Sequence, residues 1–285
     1  MSRIMAKLST LLVLGCAVST ALHAQGEWEN PVKKTLREGK PVVGFNVSIP
    51  SPDVGLVAAR LGFDFLWIEM EHSPITLEAA RNIILATQGT NTVPFIRVPV
   101  NELWMAKRAL DVGALGVVFP FTATPELARQ AVAACKYPPL GLRGNGPSLA
   151  TLRWPAPGGY PDFADRNAMV VIIIEQKQAA EKIDEILSVP GIDVVMIGPG
   201  DLSYSYGDRA KQTPQVKEAI AKILASAKRH NIPAGRTADV SDIAGYIKDG
   251  FQFFLPPSDL NLMAVGARPL LEAAGKAGGE SKPAH

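Results

Sequence analysis

Two carboxylates define the chemistry open to this sequence. Glu175 ends the apolar run MVVIIIEQ (169–176), and Asp201 closes on the run DVVMIGPGDLS (193–203). Unbroken apolar runs of this length are the pattern of strands buried on both faces of a parallel sheet. The segment between them, QAAEKIDEILSVPG, carries Ala179, Ile183, Ile186 and Leu187 at helical spacing, with Gly191 as a stop. These pieces predict a βαβ unit whose neighbouring strands release both acids at the same end. Two such acids repel unless a positive charge lies between them, and a divalent cation is the simplest candidate. The alternative is that each acid only caps the helix that follows it.

The rest of the chain repeats the same unit. Strands are predicted over 42–50, 63–72, 92–99 and 116–121, with helices over 52–62, 76–89, 102–113 and 124–137. The βαβ pair supplies units five and six. A long amphipathic helix at 213–231, a strand at 233–238, a helix at 241–250, a strand at 251–258 and a helix at 260–275 complete eight units. The short helix expected in 25–40 would close the floor. Eight strand–helix repeats predict an α/β fold, a single-domain (β/α)8 TIM barrel over 25–275. An open doubly wound sheet is the runner-up, but no dinucleotide fingerprint follows the first strand. The Gly- and Pro-rich stretch 138–167 is too long for a simple connection, which points to function.

In such barrels the chemistry sits where the strands end. Those positions hold Glu69, Glu71 and His72 after strand two, Arg97 after strand three, Glu175 after strand five, and Gly198, Pro199, Gly200 and Asp201 after strand six. Arg143, between glycines in GLRGNG, is expected to reach the same face from the loop that follows unit four. His72 alone among the four histidines is placed to act as a base near neutral pH. Clustered zinc ligands, a G-x-S-x-G elbow and a lysine inside the barrel are all missing, Lys177 being the near miss. A 2-keto acid fits what remains. Its keto and carboxylate oxygens would join Glu175, Asp201 and waters around the cation. Arg97 would face enolate charge, and the backbone N–H groups of Gly200 and Asp201 a carboxylate.

The first 24 residues read differently from the rest. A basic start (MSRIMAK), an apolar run too short to span a bilayer and the small residues of ALHA predict a secretory signal peptide cut after Ala24. Val13-Leu14-Gly15-Cys16 only loosely resembles a lipid-attachment box, so a periplasmic or secreted protein is expected rather than a lipoprotein. Cleavage removes Arg3 and Lys7 and no acid, leaving 27 basic residues against 27 acidic ones. That balance gives no footprint for nucleic acid. No later segment is long and apolar enough for a membrane span, and Cys135, the one cysteine left, cannot staple its own chain. Residues 276–285 read as a disordered tail.

The stretches GFDFLWIEMEHSP, PFIRVP, ALDVGALGVVFP, KYPPLGLRGNGP, VVIIIEQ and DVVMIGPGDLS, in that order, resemble the HpcH/HpaI family of class II pyruvate aldolases. The resemblance covers nearly all of 30–275. It implies a lyase that cleaves 4-hydroxy-2-oxo acids to pyruvate and an aldehyde, using Mg²⁺, Mn²⁺ or Co²⁺. It also implies metal ligation by Glu175 and Asp201, pyruvate contacts from Arg97 and the Gly200 region, His72 as base through water, and a homohexamer. An acidic partner for His72 is implied at Asp111. That residue ends a helix near the floor of its own barrel, so it would have to come from a neighbouring subunit; a solvated helix-end acid is the other reading. Gly200 stands where the family usually has Ala or Asn, Glu69 where it often has Asp, and FFLPPSD departs from the usual eighth strand. Citrate-lyase-like cleavage of a CoA thioester and a non-catalytic exported barrel that binds metal or keto acid are the alternatives.

Overall fold

The computed structural model describes residues 28–276 apart from 157, 210 and 211. The expected leader 1–24, with Cys16, lies outside the described residues, as does the expected tail 276–285 apart from Lys276. Eight parallel strands close in sequence order into one barrel: β1 (Val42–Val47), β2 (Phe65–Glu69), β3 (Val93–Arg97), β4 (Gly116–Phe119), β5 (Met169–Ile174), β6 (Val194–Ile197), β7 (Ala234–Thr237) and β8 (Phe253–Leu255). The helix Pro31–Arg37 lies under the floor and sends Val32 and Leu36 into the inner core. Side chains alternate between two cores, one inside the barrel and one between the strands and the helices.

The inner core is filled by rings. Phe65 stacks on Phe253 with centroids 4.3 Å apart, and Phe95 lies 5.1 Å from Phe65. Those rings occupy the space of two missing side chains. A Cβ at Gly44 would come within 2.2 Å of Phe65, and one at Gly116 within 2.3 Å of Phe95. Glycine at both positions is therefore a packing requirement.

Four details differ from the expected elements. Strand one stops at Val47 because the N–H groups of Ser48 and Ile49 turn to the buried carboxylate of Asp259, at 2.8 and 2.9 Å. Strand eight stops at Leu255 because Pro256 and Pro257 bring no N–H to the ladder. The helix after strand five breaks at Lys182 into Lys177–Glu181 and Ile183–Leu187. Both pieces still bury the predicted apolar residues against the outer core. The stretch 138–167 is not wholly irregular, holding the short helices Ala150–Arg153 and Tyr160–Asn167. No described helix is long and apolar enough to cross a membrane.

Candidate active site

The strand ends bring together the acids of strands two, five and six around Arg97. Glu69 and Arg97 are register partners at the ends of β2 and β3. Arg97 Nη1 lies 3.3 Å from Glu69 Oε2, while Nη2 contacts Glu71 and lies 3.8 Å from Glu175 Oε2. The Arg97 Nε, also buried, has no hydrogen-bond partner. One guanidinium thus faces three carboxylates, and Asp201 adds a fourth negative charge felt by both Glu71 and Glu175.

Glu175 carries the largest consequence. Its side chain is 2 % exposed, and burial pushes its carboxyl up to about 7. The Phe121 N–H, donating to Oε1 at 2.6 Å, and the charge of Arg97 pull the other way; Asp201 and Glu71 push it further up. Phe121 has φ +49°, an uncommon conformation for an aromatic residue, and the turn it makes aims that amide at Glu175. Gly198, the register neighbour beyond β6, leaves room for the acid: a Cβ there would lie 3.1 Å from Glu175 Cβ and Oε2. Glu71 is raised as well, first by burial, with Arg97 opposing and the charges of Glu69 and Asp201 adding to the shift.

His72 stands at the rim with its side chain 64 % exposed and Nε2 3.5 Å from Glu71 Oε2. Its position is set by Glu69, whose Oε1 accepts the N–H groups of Glu71 and His72 at 2.7 and 3.1 Å. Trp67 Nε1 donates to the other oxygen of Glu69 at 3.1 Å, from inside the barrel. Glu69 therefore acts as the frame of the β2 loop, a role the sequence reading did not give it. The one available signal was period: Glu69 is two residues from the inward Trp67 in a fully buried strand.

The carboxylate set fits an oxygen-seeking divalent cation. Three acids face one arginine with the charge of Asp201 acting on two of them, and Glu71 Oε2 is buried without a hydrogen bond despite its ion pair. Among the described residues no group of three or more His, Cys, Asp or Glu side chains surrounds a single point. A cation held here would rest on Glu175 and Asp201 and draw its other ligands from substrate and water. Gly200 is the second residue of the helix Pro199–Ser205 that follows β6, and an added Cβ there would meet nothing. A methyl group fits there, so approach of the backbone to a ligand does not require glycine.

Arg143 corrects the sequence expectation. The loop that carries it follows the helix Pro125–Cys135 and leads into β5, so it runs at the floor, opposite the strand ends. Its side chain is fully buried and its Nη2 pairs with Asp111 Oδ1 at 2.8 Å, with Asp111 at the end of the helix Leu103–Asp111. Lys177 lies outside the barrel, its Nζ 5.5 Å from the Tyr206 ring and 4.0 Å from Glu181. His230 caps a helix and faces Asp184 at 3.5 Å.

The chain belongs to the HpcH/HpaI aldolase/citrate lyase family, which matches residues 44–264. It is 35 % identical over 214 residues to a 2-dehydro-3,6-dideoxy-6-sulfogluconate aldolase of Pseudomonas putida, covering 74 % of this chain and 84 % of that one. A 5-keto-4-deoxy-D-glucarate aldolase of Klebsiella pneumoniae is 32 % identical over 249 residues, with 86 % and 96 % covered. The crystal structure of a family member from Burkholderia cenocepacia J2315 superposes with a TM-score of 0.80 at 28 % identity, covering 86 % of this chain and 99 % of that one. The protein is a lyase of the metal-dependent aldolase class.

Proposed function

We propose that the protein cleaves 4-hydroxy-2-oxo acids to pyruvate and an aldehyde. The observation that carries this reading is the carboxylate set of buried Glu175, half-buried Glu71 and exposed Asp201 beside Arg97, short of positive charge and open on the His72 side. Glu175 and Asp201 would hold the cation (Mg²⁺, Mn²⁺ or Co²⁺), which supplies Lewis-acid polarisation of the keto oxygen. The N–H groups of Gly200 and Asp201 would meet the substrate carboxylate. His72, acting through water, takes the proton of the 4-hydroxyl; the C3–C4 bond breaks, its electrons move to the keto oxygen, and the aldehyde departs. Arg97 stabilises the charge that develops on that oxygen. The enolate then takes a proton at C3 from water, giving pyruvate, and His72 passes the hydroxyl proton to solvent.

Asp111 would join this machinery only from a second copy, since its partner within the chain is Arg143 at the floor. Self-association, as the hexamer of the resemblance, is supported by the helix Asp259–Ala273. It buries only Asp259, while Leu260, Met263, Val265, Leu270 and Leu271 are each more than half exposed. Export to the periplasm or medium rests on the leader; a mature N-terminus at Gln25, read by N-terminal sequencing, checks it. The free Cys135 is compatible with an oxidising compartment, because burial pushes its thiol up to about 12.

The catalytic reading is tested by stripping the protein with chelator, reloading it with each ion, and following pyruvate release from 4-hydroxy-2-oxo acids. Metal-dependent release is expected; turnover that survives chelation refutes it.

A further inference from the structure

The barrel mouth has a second half that the reaction above leaves unused. Strand alternation fixes what faces it. Gly44 lies against the inner ring of Phe65, so Asn46, two residues on, points the same way. Gly235 lies against Phe253 and Met196 of the inner core, so Thr237 also points inward, beside Leu255 in register. Asn46 and Thr237 line a cavity of about 440 Å³ whose wall includes Pro199, two residues before Asp201. Asn46 Oδ1 is buried without a hydrogen-bond partner. The Thr237 hydroxyl has none among the described residues, although Thr237 is exposed to the cavity. The cation described on this wall, Arg236, lies over the Tyr246 ring at 3.5 Å, with Asp239 and Asp242 nearby. The wall thus offers the neutral Asn46 and Thr237 with open valences, the acids Asp239 and Asp242, and no free cation among the described residues, a lining that suits a neutral polar ligand over an anionic one. An orphaned amide oxygen on a cavity that reaches Pro199 calls for a donor, which a ligand hydroxyl supplies.

We propose that Asn46 and Thr237 form the acceptor subsite and that the aldehyde half of the substrate carries a neutral hydroxyl. The inference rests on the aldolase reading and adds the chemical class of the aldehyde. Glyceraldehyde and propionaldehyde, matched in carbon count, are the probes. With the Mn²⁺-loaded protein, saturation-transfer NMR measures the binding of each, the rate of aldol addition to pyruvate gives kcat/KM, and exchange of the pyruvate C3 protons in D₂O reports the donor half alone. Wild type is expected to favour glyceraldehyde at least tenfold in binding and in kcat/KM. Asn46→Leu and Thr237→Val should each lose most of that preference while C3 exchange stays within twofold. Thr237 lies at an exposed strand end, so its variant serves if the asparagine variant fails to fold. Equal binding of the two aldehydes, or a preference that survives in the folded variants, overturns the subsite. Absent C3 exchange and absent addition with intact Asn46-dependent binding would refute the aldolase reading and leave the subsite standing.

Discussion

Replacing Glu175 by glutamine separates what this acid does for the fold from what it does for the cation. The amide keeps an oxygen for the Phe121 N–H that now reaches Oε1 at 2.6 Å, and it keeps the volume beside Gly198. It removes only the charge. Lifting the carboxyl from 4.5 to about 7 makes its ionisation cost the folded chain about 3 kcal/mol more than the unfolded one. The direction follows from linkage. A raised folded value means that the native state binds more protons than the unfolded state between 4.5 and 7, so stability falls as pH rises through that window. About 2.5 kcal/mol of the penalty develops between pH 5 and pH 8. In chelator, Glu175→Gln should therefore be close to wild type in urea melts at pH 5 and more stable than wild type by about 2 kcal/mol at pH 8. Added Mn²⁺ should stabilise wild type and leave the variant unmoved. A variant that is less stable than wild type at pH 8 in chelator refutes the charge imbalance, and one that still gains from Mn²⁺ refutes the assigned ligand.

Other perturbations test the parts around it. His72→Ala should retain the cation by elemental analysis, slow aldol cleavage by about 10²–10³ and change pyruvate C3 exchange by less than tenfold; loss of the cation would show that His72 is a ligand. Gly198→Ala should press on the Glu175 side chain, whose Cβ and Oε2 would lie 3.1 Å from the new methyl, and weaken Mn²⁺ binding by about tenfold in titration calorimetry. Unchanged affinity would mean that the strand end shifts freely. Leu270→Glu places a charge on the exposed apolar helix and should reduce the molar mass in light scattering. An unchanged mass, whether hexameric or monomeric, removes that helix from the argument for assembly.

The fold was legible because each barrel strand writes its own burial. The runs at Met169–Ile174 and Val194–Ile197 are buried at every residue, as their unbroken apolar pattern predicts. The acids at their ends were legible for the same reason, since a charge stops such a run only where water or a ligand waits. Arg143 was misread because a Gly-rich loop carries no mark of which end of the barrel it joins; the helix before it decides, and it leads to the floor. The Phe121 clamp left no trace in the sequence. It depends on a backbone angle of +49° held by tertiary contact, and aromatic residues give no warning of that conformation. Asn46 was readable only as part of a strand, because its importance lies in what fails to bond to it.

The position of Arg97 explains why the cation and the base need not share a side chain. Its Nη2 touches Glu71 and lies 3.8 Å from Glu175, and Glu71 in turn lies 3.5 Å from His72 Nε2. A dication on Glu175 and Asp201 would draw charge from those two acids and leave Glu71 to Arg97 and His72. The rim histidine then faces an acid already paired with arginine. Were Glu71 instead drawn onto the cation, Arg97 would lose its closest acid and His72 its neighbour together. A Glu71→Gln variant that keeps the cation but alters the pH profile of cleavage is the result this arrangement requires.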